Sequence, residues 1–264
     1  LTQRGIENRG VDIEDFDLTD EQAVRTYIGD YAPDAVVHCA AYTAVDRAED
    51  NEALCRAVNV DGTAYVARAC REVGAKMMYF STDYVFAGTG ENFYQTDDPK
   101  APLSVYGRTK LDGELAAQRE VEKLFIVRIS WVFGINGANF VKTMLRLGTQ
   151  HDTLRVVNDQ IGSPTYTADL APLVCDMLQT ERYGVYHATN EGVCSWAEFA
   201  VQIMREGGLD VRIEPVTTQE YGAKAPRPSN SRLSKKSLDE AGFSRLPTWQ
   251  DALHRYIKQL SKSE

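Results

Sequence analysis

The chain has 264 residues, 43% hydrophobic and 25% charged, with 29 basic and 38 acidic side chains and a net charge of -9. This is the composition of a globule with a packed core, one large domain or one and a half. The acidic balance excludes a general nucleic-acid binder, which needs a basic face, though it leaves room for one anionic ligand held by a local arginine.

Read in chain order, the N-terminal half alternates. "ENRGVDI" (7 to 13) predicts a short strand. "TDEQ" (19 to 22) has the form of a capping box and opens a helix to about Tyr31, ended by Pro33. "AVVHCAA" (35 to 41) is a continuous apolar run, the pattern of a parallel strand buried on both faces. A helix over 61 to 74 stops at Gly74. Strand 76 to 81, helix 104 to 118 and strand 123 to 130 follow. This spacing predicts right-handed βαβ units and a parallel sheet.

From about Asn136 the texture changes. A helix (139 to 149) precedes strand 154 to 159, and "IGSPTY" reads as a loop. Helix 167 to 179 and strand 184 to 190 come next. "SWAE" (195 to 198) is a second capping box, opening a helix that stops at Gly207-Gly208. The remainder carries Pro215, Pro226, Pro228 and Pro247, and ends in an amphipathic helix from about Trp249. The expected architecture is α/β: a Rossmann-type parallel sheet with a smaller mixed α/β lobe at the C-terminal end. Residues 1–149 form the dinucleotide-binding domain, 167–190 return to its sheet, and 150–264 supply the substrate-binding lobe. The chain begins at Leu1, on text that reads as the end of a helix, so an earlier strand with a Gly-rich loop is expected upstream.

The five cysteines (Cys39, Cys55, Cys70, Cys175 and Cys194) form no C-x-x-C pair. They read as thiols of a reducing, cytoplasmic compartment. No apolar run reaches the ~18 residues of a membrane span, and no secretory signal is seen. The four histidines show no metal-ligand spacing, and His38 and His187, in apolar strands, read as satisfied core residues. No metal site is assigned.

Ligands of open parallel sheets bind beyond the carboxyl ends of the strands. The expected tips are Asp12, Ala40-Ala41-Tyr42-Thr43, Ser81-Thr82-Asp83 and Ser130-Trp131, mostly polar or aromatic where a plain turn would do. Tyr106 and Lys110 share one helix face, so a phenol, an ammonium and the Thr82 hydroxyl are expected in one cleft. Asp12, at a strand end, suits an adenosine 2'-hydroxyl and disfavours a 2'-phosphate.

Thr82, Tyr106 and Lys110 resemble the triad of extended short-chain dehydrogenase/reductases. "AAYTAVDRAE" (40 to 49), "STDYVFAGTG" (81 to 90), "PLSVYGRTKLDGE" (102 to 114), "RISWVFG" (128 to 134), "NFVKTMLRL" (139 to 147), "NDQIGSPT" (158 to 165) and "RPSNSRL" (227 to 233) narrow it. In order along nearly the whole chain, they resemble the dTDP-4-dehydrorhamnose reductase family.

That resemblance implies reduction of the C4 ketone of dTDP-4-dehydro-L-rhamnose to dTDP-L-rhamnose, with NADH or NADPH. Tyr106 would be the general acid. Lys110 would lower its pKa and hold the nicotinamide ribose, and Thr82 would bond the carbonyl oxygen or the phenol. Asp12, Asp17, Leu18, Ala40, Ala41, Tyr42 and Thr43 would line the cofactor. Thr82, Asp83, Tyr84, Val45 and Trp131 would meet the sugar, and Arg227 would clamp phosphate. A homodimer is a further implication; the divalent ion some members carry at a dimer contact has no assignable residues here. Two other readings stand beside this one. In related 4,6-dehydratases an Asp-Glu pair follows the threonine; here Tyr84 follows Asp83, which counts against a dehydratase or epimerase. A non-catalytic regulatory subunit of the methionine adenosyltransferase type shares the fold, but does not call for all of Thr82, Tyr106 and Lys110.

Overall fold

A computed structural model describes residues 1–262. A 3₁₀ turn (Thr2–Arg4) and irregular chain lead to α1 (Glu21–Tyr31), β1 (Ala35–His38), α2 (Val45–Ala48) and α3 (Glu52–Arg56). A π-turn (Ala57–Asp61) then runs into α4 (Gly62–Val73), β2 (Lys76–Thr82), α5 (Val105–Glu120) and β3 (Leu124–Ile129). Next come β4 (Val132–Phe133), α6 (Phe140–Gly148), β5 (Thr153–Val157), β6 (Ile161–Gly162), β7 (Thr165–Tyr166), α7 (Thr167–Leu178) and β8 (Gly184–His187). The chain finishes with β9 (Cys194–Ser195), α8 (Trp196–Glu206), β10 (Arg212–Val216), α9 (Thr218–Tyr221), β11 (Asn230–Ser231), α10 (Lys236–Glu240) and α11 (Trp249–Leu260).

The main sheet has the order β1-β2-β3-β8, and every pairing in it is parallel. Its central strands show why they are strands. Met77, Tyr79, Leu124 and Ile126 point to one core, with Val66 and Ala67 of α4 and Ala117 of α5. Met78, Phe125 and Val127 point to the other, with Leu170, Leu173 and Met177 of α7 and Tyr186 of β8. Alternate residues feed opposite faces, so both faces are apolar and both carry helices, the doubly wound arrangement. Burying each such side chain contributes about 1.5–3 kcal/mol. A third core, rich in aromatics (Phe133, Tyr166, Phe199, Trp249 and Tyr256), lies among α6, α8 and α11.

Residues 7–13 do not form the expected strand; they are irregular and almost wholly exposed. A strand exists only against a hydrogen-bonded neighbour, and among the described residues none pairs with this segment. The "TDEQ" box also differs. Asp20, not Thr19, caps α1, accepting from the backbone N–H of Gln22 and Ala23 at 2.9 and 3.1 Å. Thr19 instead donates its hydroxyl to Asp17 at 2.8 Å. The "SWAE" box forms fully: Ser195 accepts from Glu198 N at 3.0 Å and Glu198 from Ser195 N at 2.7 Å.

Two stretches hold more order than expected. "IGSPTY" carries β6 and β7, which pair with β9 and β11 and with β4. Arg212–Val216 pairs parallel with β5 despite Pro215, which a strand in a two-stranded sheet tolerates because one side of its ladder is free.

Candidate active site

The stretch after β2 explains its polar tip. Thr82 ends the strand, and its Oγ1 accepts from Tyr84 N at 3.2 Å, starting a 3₁₀ turn over Asp83–Val85. Thr82 and Asp83 are both buried. Thr82 Oγ1 donates to Asp83 Oδ1 at 2.9 Å, and the other oxygen of Asp83 accepts from Ser231 Oγ. Burial pushes the Asp83 carboxyl up to about 6, against the pull of the Ser231 and Thr82 hydroxyls.

That shift has a measurable consequence. Folded Asp83 keeps its proton to about pH 6, whereas the unfolded chain releases it near the ordinary carboxylate value of about 4. The folded state binds the extra proton in this window, so stability falls as pH rises through it. Asp83→Asn removes the effect and is expected to stabilise the protein at pH 8 by about 1–3 kcal/mol, read from the urea midpoint. A variant no more stable than wild type at pH 8 would contradict it.

Helix α5 starts where Ser104 accepts from Gly107 N at 3.1 Å. It is pressed onto the site by two glycines. A Cβ at Gly107 would lie 2.4 Å from the Tyr84 carbonyl oxygen, and one at Gly113 would lie 2.4 Å from the Asn59 carbonyl oxygen. The phenol of Tyr106 is in hydrogen-bonding reach of Thr82, and its ring meets Tyr84 edge-on at 5.4 Å. Burial drives the Tyr106 pKa above its ordinary value, with Thr82 opposing. The net direction is opposite to the lowering expected from Lys110. The Lys110 ammonium is engaged elsewhere: its Nζ donates to the Phe80 carbonyl at 2.7 Å and lies 4.0 Å from the centre of the Tyr79 ring. Burial brings Lys110 itself down to about 7, with Glu114 pulling the other way.

The structure thus gathers Thr82, Asp83, Tyr84, Tyr106 and Lys110 at the carboxyl end of the sheet. Beside them, the chain leaving β1 runs irregular through Cys39, Ala40, Ala41, Tyr42 and Thr43. Asn59 holds it there, accepting from Tyr42 N at 2.7 Å and donating to Tyr42 O at 3.2 Å. An open backbone run beside a buried lysine suits the nicotinamide end of a dinucleotide. Val45, partly buried, begins α2 at the same edge.

Other expected residues sit differently. Asp12 lies in an exposed turn, bonded to Ile13 N at 2.8 Å, rather than at a strand end. Asp17 caps Thr19 at 2.8 Å, and Leu18 packs against α4, where a Cβ on Gly62 would come within 2.7 Å of it. Arg227 presents its guanidinium to Asp46, at 3.1 and 2.7 Å, so its fork already grips a carboxylate. Trp131 has a left-handed backbone, φ 50°, unusual for so bulky a residue. Its ring stacks on Trp196 at 3.8 Å, and Gly162 leaves it room. The sequence reading assigned no role to Ser231, Asn59 or Trp196. Ser231 stood inside a quoted motif, but only the fold brings it to Asp83.

This is the site plan of the extended short-chain dehydrogenase/reductases. Within that class the chain belongs to the dTDP-4-dehydrorhamnose reductase family: the family model described as RmlD substrate binding domain matches residues 1–262. The chain is 43% identical to a spore coat polysaccharide biosynthesis protein, SpsK, of Bacillus subtilis, over 100% of this chain and 92% of that one. It is 41% identical to a dTDP-4-dehydrorhamnose reductase of Streptomyces griseus, covering 96% of this chain and 86% of the relative. The crystal structure of the Bacillus anthracis dTDP-4-dehydrorhamnose reductase in complex with NADP superposes with a TM-score of 0.96 at 40% identity, covering 98% and 92% of the two chains.

Proposed function

We propose that this protein reduces the C4 ketone of dTDP-4-dehydro-L-rhamnose to dTDP-L-rhamnose, using NADH or NADPH. One observation carries the reading: Tyr106, Thr82 and Lys110 meet at the carboxyl edge of the parallel sheet. The family relatives named as dTDP-4-dehydrorhamnose reductases, one of them solved with NADP, agree with it.

When bound, the dinucleotide supplies the hydride. The chain's own residues manage the charge that then grows on the ketone oxygen. Tyr106 donates a proton to it as general acid. Thr82, whose one hydroxyl hydrogen goes to Asp83, lies within reach of the phenol and can orient it by accepting its proton's hydrogen bond. The chain at Ala40–Thr43 and the Lys110 ammonium line the nicotinamide end. Asp83, Tyr84, Val45 and Trp131 border the sugar. A lobe division at residues 149 and 150, with 167–190 returning to the sheet, belongs to the same reading. β8 supports it by pairing with β3. A cytoplasmic location, in keeping with five free thiols, and a homodimer, for which the exposed Leu54 and Leu115 on the touching helices α3 and α5 offer apolar surface, belong to the same reading. Among the described residues no helix is long and apolar enough to cross a membrane.

The test is to mix the protein with dTDP-4-dehydro-L-rhamnose and follow the absorbance of NADH and NADPH separately. Rapid oxidation of either is the expected result. Sugar-nucleotide binding without oxidation would point to another ketosugar isomer. Neither oxidation nor binding would favour the regulatory-subunit reading.

A further inference from the structure

We propose that Trp196 and Gly162 are positioning residues that hold the Trp131 indole as a fixed wall beside the sugar of the bound nucleotide. The proposal rests on the reductase reading for the identity of that sugar; the wall itself is a matter of geometry.

Among the described residues, only Ala32 and Trp131 have a positive φ without being glycine, Trp131 at 50°. A bulky side chain resists that backbone, so it persists only where the surrounding structure imposes it. Here bonds impose it from both sides. Ahead of Trp131, Ser130 Oγ donates to the Ser163 carbonyl at 2.7 Å, and Thr165 Oγ1 donates to the Ser130 carbonyl at 2.7 Å. The Trp131 carbonyl accepts from Thr165 N at 3.2 Å. Beyond it, Val132 and Phe133 pair with Thr165 and Tyr166. A glycine would take this backbone without strain; what the tryptophan adds is a ring in one place.

That place is set by two neighbours. Trp196, the first residue of α8, stacks on the indole at 3.8 Å and 17°, and Phe140 backs Trp196 in turn at 4.6 Å. The indole edge lies over Gly162, where a Cβ would come within 3.0 Å of its Cε2 and Cζ2 atoms. The same Cβ would come within 3.0 Å of Ser231 Cβ, and Ser231 donates to Asp83. Gly162 has no positive φ, so space alone requires glycine there. One missing methyl thus lets the indole edge and the Ser231–Asp83 contact lie side by side at the tip of β2. Val132, next along, is 43% exposed, so this segment opens outward instead of closing a core. A flat apolar ring beside hydroxyl and carboxylate groups suits a sugar, which carries C–H patches and hydroxyls on one ring. A wall that cannot turn fixes the orientation of that sugar before reaction.

The test compares two ligands on the cofactor-bound protein. Isothermal titration calorimetry in the presence of NADP+ measures the dissociation constants of dTDP-L-rhamnose and of dTDP for wild type, W196L, W196F and G162A. W196L removes the flat ring but keeps an apolar side chain; G162A opens no cavity, so it answers if W196L does not fold. W196L and G162A should bind dTDP-L-rhamnose about tenfold more weakly, bind dTDP within about twofold of wild type, and lose kcat/KM in proportion. W196F, which still offers a ring to stack, should stay within about threefold of wild type. The paired circular-dichroism band of two stacked indoles should be present in wild type and lost in W196L. Wild-type affinity for dTDP-L-rhamnose in either folded variant, a matching loss for dTDP, or a W196F as weak as W196L overturns the proposal. So does wild-type protein that binds dTDP-L-rhamnose no more tightly than dTDP. A failed reductase reading shows separately, as wild-type protein that favours the sugar nucleotide over dTDP yet oxidises neither cofactor.

Discussion

Tyr106→Phe is expected to lower kcat/KM for ketone reduction by about 10²–10⁴-fold, the range of a lost general acid. The dissociation constant for NADPH should stay within about twofold, because the ring remains and only its oxygen is gone. The loss should fall on kcat more than on KM, as for an interaction made in the transition state. The variant should also fold normally. The ring keeps its edge contact with Tyr84, and the Thr82 hydroxyl keeps Asp83 as acceptor. Steady-state oxidation of NADPH with dTDP-4-dehydro-L-rhamnose, beside a fluorescence titration of the cofactor, separates the two effects. A fully active Phe variant would remove Tyr106 as the proton donor, and Asp83, protonated up to about pH 6, would be the next acid to examine.

The parallel sheet was legible because β2 and β3 are apolar on both faces and the spacing between them admits a helix. The triad was legible for a similar reason: Tyr106 and Lys110 are tied by helical periodicity, and Thr82 by its place at a strand end. The missed features are those that no local pattern encodes. Residues 7–13 have strand composition, but a strand is a property of two segments, and this one finds no partner among the described residues. Arg227 has the right chemistry for phosphate, yet the fold sets Asp46 opposite it. Ser231 reaches Asp83 across 148 positions of sequence. Arg128 did leave a trace, as a charge inside "KLFIVRIS", where a buried arginine needs a buried acid. Glu114, two helical steps from Tyr106, was in view as well, but only the fold shows that it pairs with Arg128.

Acid should weaken this protein through its buried imidazoles before pH falls to the ordinary carboxylate range. His38 and His187 are both buried, and burial lowers each to about 3, with the positive charges of Lys110 and Arg128 adding to the effect. In the unfolded chain each takes up a proton near pH 6.5. Between these values the unfolded state holds two protons that the folded state lacks, so stability present above pH 6.5 is lost as pH falls. On its own, each histidine would cost on the order of 4 kcal/mol by pH 3, against a typical total of about 5–15 kcal/mol. Asp83 works in the opposite sense, since below about pH 6 the folded state holds a proton there that the unfolded chain releases. The wild-type slope between pH 6 and 4 should therefore correspond to a net of one proton, about 1.4 kcal/mol per pH unit, and Asp83→Asn should steepen it to about two protons. Urea midpoints collected from pH 7 to pH 4 on both proteins test this. A wild-type stability that is flat over that range, or a slope that Asp83→Asn leaves unchanged, would show that the histidines are charged or solvated in the folded state. The acceptor role of His187 Nε2 toward Arg128 argues that His187 is uncharged, and the burial of His38 with its Nε2 bonded to Thr63 argues that His38 is not solvated.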